Sequence, residues 1–164
     1  MKKTLFILLL ALSPLCLMAQ QKMATVNSDE IVSIMPDTKS AQTRLQELDK
    51  KYSTELQTMQ QEYTKKTEAF IKESEKLSET IRATRQQELI DMQNRIQQSA
   101  QVMQQDFQKQ QETLLTPIRQ KVLDAIKKVA DREGYTYVVE RMMMLHIGKD
   151  AIDITPQVKK ELGL

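Results

Sequence analysis

The sequence predicts a mostly α chain with a small β body: a long antiparallel helical hairpin projecting from a short α/β unit. Three observations carry this reading. Pro36 and Pro117 bracket residues 37–116, a run of 80 residues without Gly or Pro, where a sheet-rich segment would need turn residues. Leu, Gln, Glu, Lys, Met and Arg dominate the run, and all are good helix formers. Apolar residues are also unevenly placed, with 23 of 81 in residues 37–117 against 29 of 64 in residues 20–36 plus 118–164. The core therefore belongs to the flanks, and the helical run stands away from it.

Residues 1–19 have the form of a secretory signal peptide: basic Lys2 and Lys3, an apolar stretch from Thr4 to Leu12, and small Ala19 as the last residue before cleavage. A membrane anchor is less favoured because the apolar stretch is short. A lipid-modified Cys16 is less favoured because bulky Leu15 stands where a small residue is wanted. Such a signal implies that the chain is exported. It also removes the single Cys and leaves 22 basic against 22 acidic residues, so neither a disulfide framework nor strong nucleic-acid attraction is expected.

Met23 to Val26 has strand character, and Asn27 with Glu30 marks the start of a short helix that Met35-Pro36 ends. Asp37 is then expected to cap the outgoing helix. Its apolar seam runs through Ala41, Leu45, Leu48, Tyr52, Leu56, Met59, Tyr63 and Phe70. The returning seam runs through Leu89, Met92, Ile96, Ala100, Met103 and Phe107, and onward through Leu114, Ile118, Val122, Ala125 and Val129. Both repeat every 11 residues rather than every 7, the period of a straight or slightly right-handed coil.

The two seams mirror one another. Leu45 is expected to face Phe107, Leu48 Met103, Tyr52 Ala100, Leu56 Ile96, Met59 Met92, Tyr63 Leu89 and Phe70 Ile81. This folds residues 37–117 into an arm with its tip near 74–78, where Ser78 caps the return helix. The alternative, one continuous helix in a parallel dimer, lacks any reason for the mirroring.

Gly134 ends the return helix. Tyr135 to Val139 is strand-like, a further strand is expected at Met144 to Ile147, and Thr155-Pro156 opens a last helix ending at Gly163. Residues 20–36 and 118–164 thus form the body. A body of this size is marginal alone, and open strand edges invite pairing between copies. Met23, Val26, Tyr137 and Val139 are the candidate residues for such self-association.

No enzyme motif, cofactor site or metal site is expected. The three Gly all follow residue 133, so no loop cradles phosphate, and no Ser has a nearby His and acid to activate it. His146 is the only His. Asp150 and Asp153 fit turn and cap roles better than cation binding. Met142-Met143-Met144 fits a turn or strand edge packed in the core better than an adaptable binding surface. The eleven Gln among residues 86–111 fit a solvated helix face. Lys65, Lys66, Lys72, Lys76, Arg82 and Arg85 make the tip slightly basic, enough for weak contact with anionic lipid. Ile71, Ile90 and Val102 lie off the seam and are candidate contacts for an apolar partner.

The order of these features resembles the Skp/OmpH family of periplasmic chaperones. The resemblance is carried by Lys22-Met23-Ala24-Thr25-Val26-Asn27, by Gly134-Tyr135-Thr136-Tyr137-Val138-Val139, and by Asp153-Ile154-Thr155-Pro156-Gln157-Val158-Lys159-Lys160 around one long hairpin. It implies a jellyfish-shaped homotrimer whose arms surround a cavity. It also implies an ATP-independent holdase for unfolded outer-membrane β-barrel proteins. Members of that family are often strongly basic, whereas this chain without its first 19 residues is formally neutral, so capture by charge is expected to be weak. A structural spacer or adaptor of the envelope with fixed partners is the alternative function.

Overall fold

The computed structural model of the protein describes residues 21–164. The expected signal peptide and Cys16 lie outside the described residues. The chain runs β1 (Met23–Val26), α1 (Ser28–Ile34), α2 (Pro36–Glu73), a 3-10 turn (Ser74–Lys76), α3 (Glu79–Glu133), β2 (Tyr137–Glu140), a second 3-10 turn (Arg141–Met143) and α4 (Thr155–Leu162). β1 and β2 are parallel, with Met23 paired to Tyr137 and Val26 to Glu140. Parallel strands need a long crossover. Here the crossover is α1 and the entire hairpin, so the arm is an excursion from one β-α-β unit.

Local sequence explains most element ends. The Asn27 side chain accepts the Glu30 N–H at 3.1 Å and caps α1. Ser78 caps α3 through the Ile81 N–H. Gly134, at φ 71°, and Gly163, at φ 75°, end α3 and α4 in the left-handed region, where any Cβ is strained.

Three expectations need correction. Asp37 does not cap α2: Pro36, with its fixed φ and missing N–H, occupies the first helical position, so Met35 becomes the cap residue and Asp37 lies within the first turn. The second strand is Tyr137–Glu140 rather than Tyr135 to Val139, because the Tyr135 N–H turns back to the Ala130 carbonyl at 2.9 Å and completes the helix cap. Met144 to Ile147 forms no strand. Instead Thr25 bridges to Asp153, donating its N–H to the Ile152 carbonyl at 2.7 Å and accepting the Ile154 N–H at 2.9 Å. That lane occupies the free side of β1, and Met144 to Ile147 pairs neither with it nor with the outer edge of β2.

The core joins Ala24 and Val26 of β1, Ile31 of α1, Ala41 of α2, and Ile154 with Val158 of the C-terminal segment. Met35, between α1 and α2, and Ile118, Val122, Ala125 and Val129 of α3 complete it. Polar ties close the rim. The Asn27 N–H donates to Thr155 Oγ1 at 2.9 Å, the Ser28 N–H donates to the Glu140 carboxylate at 3.2 Å, and Arg132 pairs with Glu161 at 2.7 Å. α3 passes unbroken through Pro117, which has no N–H to offer the preceding turn. This weak step in the helix ladder sits where the arm leaves the body.

Candidate functional site

The arm is held by one apolar seam. Leu45, Leu48, Tyr52, Leu56, Met59 and Tyr63 of α2 are half-buried. Leu89, Ile96, Ala100, Met103 and Phe107 of α3 are half-buried too, and Met92 is buried. With only one neighbouring helix, a seam residue keeps one flank toward solvent.

The register differs from the mirrored one expected. Three polar clamps fix it: Asp37 with Lys121 at 3.0 Å, the Tyr52 hydroxyl with the Asp106 carboxylate, and Glu73 with Arg85 at 2.6 Å. Leu56 therefore shares a groove with Met103 rather than facing Ile96, and Phe70 shares one with Leu89 rather than Ile81. The cause is the repeat itself. Steps of three and four recur along both helices, so sliding one helix by about seven residues again sets apolar on apolar. The clamps mark the register the arm takes, and at its base Ala41 and Ile118 share the core in the same register. Tyr52 reports its clamp: the hydrogen bond to Asp106 raises its pKa above the ordinary tyrosine value, with desolvation adding to it.

Ile71, Ile90 and Val102 are 68%, 45% and 56% exposed. They do not form one stripe, since a spacing of 12 residues puts Ile90 and Val102 about 120° apart around α3. Ile81 joins them on the surface, 49% exposed. Sequence pairing with Phe70 hid it. The Ser78 cap was the available signal, because it places Ile81 in the first turn, ahead of the helix overlap that starts at Arg85. At the tip, Arg85 is engaged by Glu73, and Arg82 Nε donates to the Ser74 carbonyl at 3.1 Å. The tip lysines 65, 66, 72 and 76 remain exposed.

The body presents an open apolar face. Met23 and Tyr137 are half exposed and Val139 half-buried, whereas Val26 lies inside the core of its own chain. Met142 and Met143 are 75% and 78% exposed and Leu145 wholly so. The expectation that this Met run packs in the core is thus overturned within the chain: the run follows a strand that ends at Glu140, and the core is already filled by Ile154 and Val158. Asp153 takes the structural role. It accepts from the Thr155 hydroxyl at 2.5 Å and N–H at 2.9 Å, and pairs with Arg141 at 2.6 Å. Burial opposes ionisation of its carboxyl, but these partners outweigh it and hold its pKa below the ordinary value. Among the described residues no three His, Cys, Asp or Glu side chains cluster to hold a metal, and no helix is long and apolar enough to cross a membrane.

Comparison with known proteins fits this architecture. The chain is 26% identical over 144 residues to "Chaperone protein Skp" of Pectobacterium atrosepticum, covering 88% of this chain and 87% of that one. It is 26% identical over 153 residues to the Yersinia enterocolitica protein of the same name, with 93% of each covered. Its fold matches a crystal structure described as an OmpH-like outer membrane chaperone from Caulobacter crescentus, at a TM-score of 0.76 and 17% identity, covering 88% of this chain and 85% of that one. Residues 22–162 match the family described as "Outer membrane protein (OmpH-like)", and to that family the chain belongs.

Proposed function

We propose that the chain is an ATP-independent periplasmic holdase that shelters unfolded outer-membrane β-barrel proteins between the arms of a homotrimer. The observation that carries this reading is the arm: a helical pair clamped at base, middle and tip, with no core of its own, and with isolated apolar side chains left on its surface. Both relatives above bear the name of a chaperone. An unfolded barrel exposes alternating apolar strands that aggregate. Many weak contacts hold such a chain by avidity while each breaks readily, so release toward the folded barrel needs no ATP. Self-association through Met23, Tyr137 and Val139 supplies several arms at once. Contact of the tip with anionic lipid falls to the exposed lysines and Arg82, because Arg85 is already paired with Glu73.

The test is dilution of urea-unfolded outer-membrane barrel proteins into buffer with and without the purified chain. A holdase suppresses turbidity at close to one trimer per client. Unchanged turbidity rejects the reading and leaves a spacer or adaptor with fixed partners. Replacing Ile71, Ile90 and Val102 together by Ser is expected to weaken holding without unfolding the chain, and unaltered holding removes them as client contacts.

A further inference from the structure

We propose that one face of the arm, lined by side-chain amides and almost free of charge, is the surface that takes an extended stretch of unfolded polypeptide. This rests on the holdase reading above and assigns its contact face. In α3, Gln93, Gln97, Gln101, Gln104, Gln108 and Gln111 recur at steps of three and four. At about 100° per residue such steps form one stripe along a helix. In α2, Gln46, Asp49, Ser53, Gln57, Gln60 and Thr64 recur in the same way. All of them are exposed. The two stripes share one side of the hairpin, because Asp49 and Ser53 line the same groove as Gln104, Gln108 and Gln111. Asp49 is the one charged member of either stripe.

The opposite flank holds the charge. Glu47, Lys51 and Glu55 of α2 and Glu88, Arg95 and Lys109 of α3 lie about 80–160° from the seam, on the other side from the amide stripes. Asp37–Lys121, Tyr52–Asp106 and Glu73–Arg85 all close the arm along that charged flank. On the amide side, among the described residues, no such bridge spans the two helices. A groove of about 630 Å³ opens there instead, with Tyr52, Leu56, Met103 and Phe107 as its floor. Exposed Ile71 and Ile90 extend the two stripes toward the tip, while Val102 stands apart on the charged flank.

The chemistry selects the occupant. A glutamine amide carries donors and an acceptor. Among the described residues those of the stripe have no hydrogen-bond partner in the chain, whereas Gln87 and Gln120, off the stripe, bond Asp91 and Asp124 at 2.9 Å. An unfolded chain brings unpaired, uncharged backbone N–H and C=O groups, which match a neutral amide surface. Its apolar side chains match the groove floor. A second arm fits worse, because packing its apolar seam here would bury amides without partners. Anionic lipid needs cations, which neither stripe carries. From Ile90 to Gln111 the stripe is about 32 Å long, room for about nine extended residues, the length of one strand of a membrane β-barrel.

The test uses the full chain carrying Cys16→Ser, with a urea-unfolded outer-membrane β-barrel protein diluted into it. A photoreactive group is attached to a single cysteine at Gln97→Cys, Gln104→Cys, Arg95→Cys or Lys109→Cys. Irradiation is expected to link the first two positions to the barrel protein several-fold more than the last two. Gln97→Glu with Gln104→Lys keeps helix propensity and net charge. By placing charges against an uncharged client it is expected to weaken holding about fivefold or more. Glu88→Gln with Arg95→Gln is expected to leave holding unchanged. Equal crosslinking from both flanks, or holding that survives the Gln97 and Gln104 changes, overturns the assignment while the holdase reading stands. Crosslinks between two arms from Gln97 and Gln104 without the barrel protein overturn it in favour of a second copy. Aggregation unchanged by the unaltered chain rejects the holdase reading and this face together. The single-cysteine crosslinks decide the matter even if a charge variant fails to fold.

Discussion

α3 passes through both regions of the molecule, and the same apolar stripe meets a different fate in each. In the body, Ile118, Val122, Ala125 and Val129 are buried against β1, α1 and the C-terminal segment. In the arm, Leu89, Ile96, Ala100, Met103 and Phe107 are only half-buried against α2. The chemistry of the stripe barely changes along the helix; the number of neighbours does. A side chain enclosed by several elements yields its full transfer free energy, whereas one with a single neighbour yields part of it and keeps a face for solvent or a partner. One helix is therefore anchor at one end and accessible surface at the other.

The sharpest way to break this comparison is all-or-none. In a Cys16→Ser chain, Leu56→Cys with Met103→Cys is expected to crosslink within one molecule on oxidation, while Leu56→Cys with Ile96→Cys is not. Mass spectrometry of intact and cleaved chains reads the result, and the reverse outcome rejects the clamped register. Next in size is the contrast in stability. Ile154→Ala, in the fully buried part of the core, is expected to lower unfolding free energy by about 2–5 kcal/mol, and Leu56→Ala in the arm by less than half as much. Urea titration of both variants measures it, and equal losses would show that the arm is packed like the body.

A gain is expected at the junction. Pro117→Ala restores the missing N–H and should stabilise α3 by up to about 3 kcal/mol, seen as slower amide exchange around residue 117. Unchanged exchange would mean the ladder is not weakened there.

The smallest effects are those of pH, and their signs differ between the regions. The pKa of Asp153 is lowered, so its contribution is present above the ordinary aspartate value and is lost as pH falls through its native one. The pKa of Tyr52 is raised, so its contribution is full below the ordinary tyrosine value and is lost as pH rises through its native one. Asp153→Asn should flatten the acid side of the stability profile and Tyr52→Phe the alkaline side. A swap of the two would refute the assignment.

Helix ends were the most legible features. Asn27, Ser78, Gly134 and Gly163 act on backbone groups a few residues away, so the deciding interaction lies inside a short window of sequence. Asp37 misled because Pro36 beside it determined the helix start more strongly. The exposure of Ile71, Ile90 and Val102 was also legible, since each falls off a strict seam. Their dispersal around the arm was not, and neither was the surface position of Ile81, because both depend on register.

The sequence by itself determined that two long helices form, where they begin and end, and which stripe each presents, because propensity, capping and periodicity are local. Only the tertiary structure decided how far one helix slides along the other, because a seam of three- and four-residue steps again sets apolar on apolar after a slip of two steps, and the register taken is marked by Asp37–Lys121, Tyr52–Asp106 and Glu73–Arg85, partners far apart in the chain. It also decided that Met144 to Ile147 stays out of the sheet. A strand exists only with a partner: Ile152 to Ile154 takes the free side of β1, and the loop carrying Met144 to Ile147 does not return along the open edge of β2.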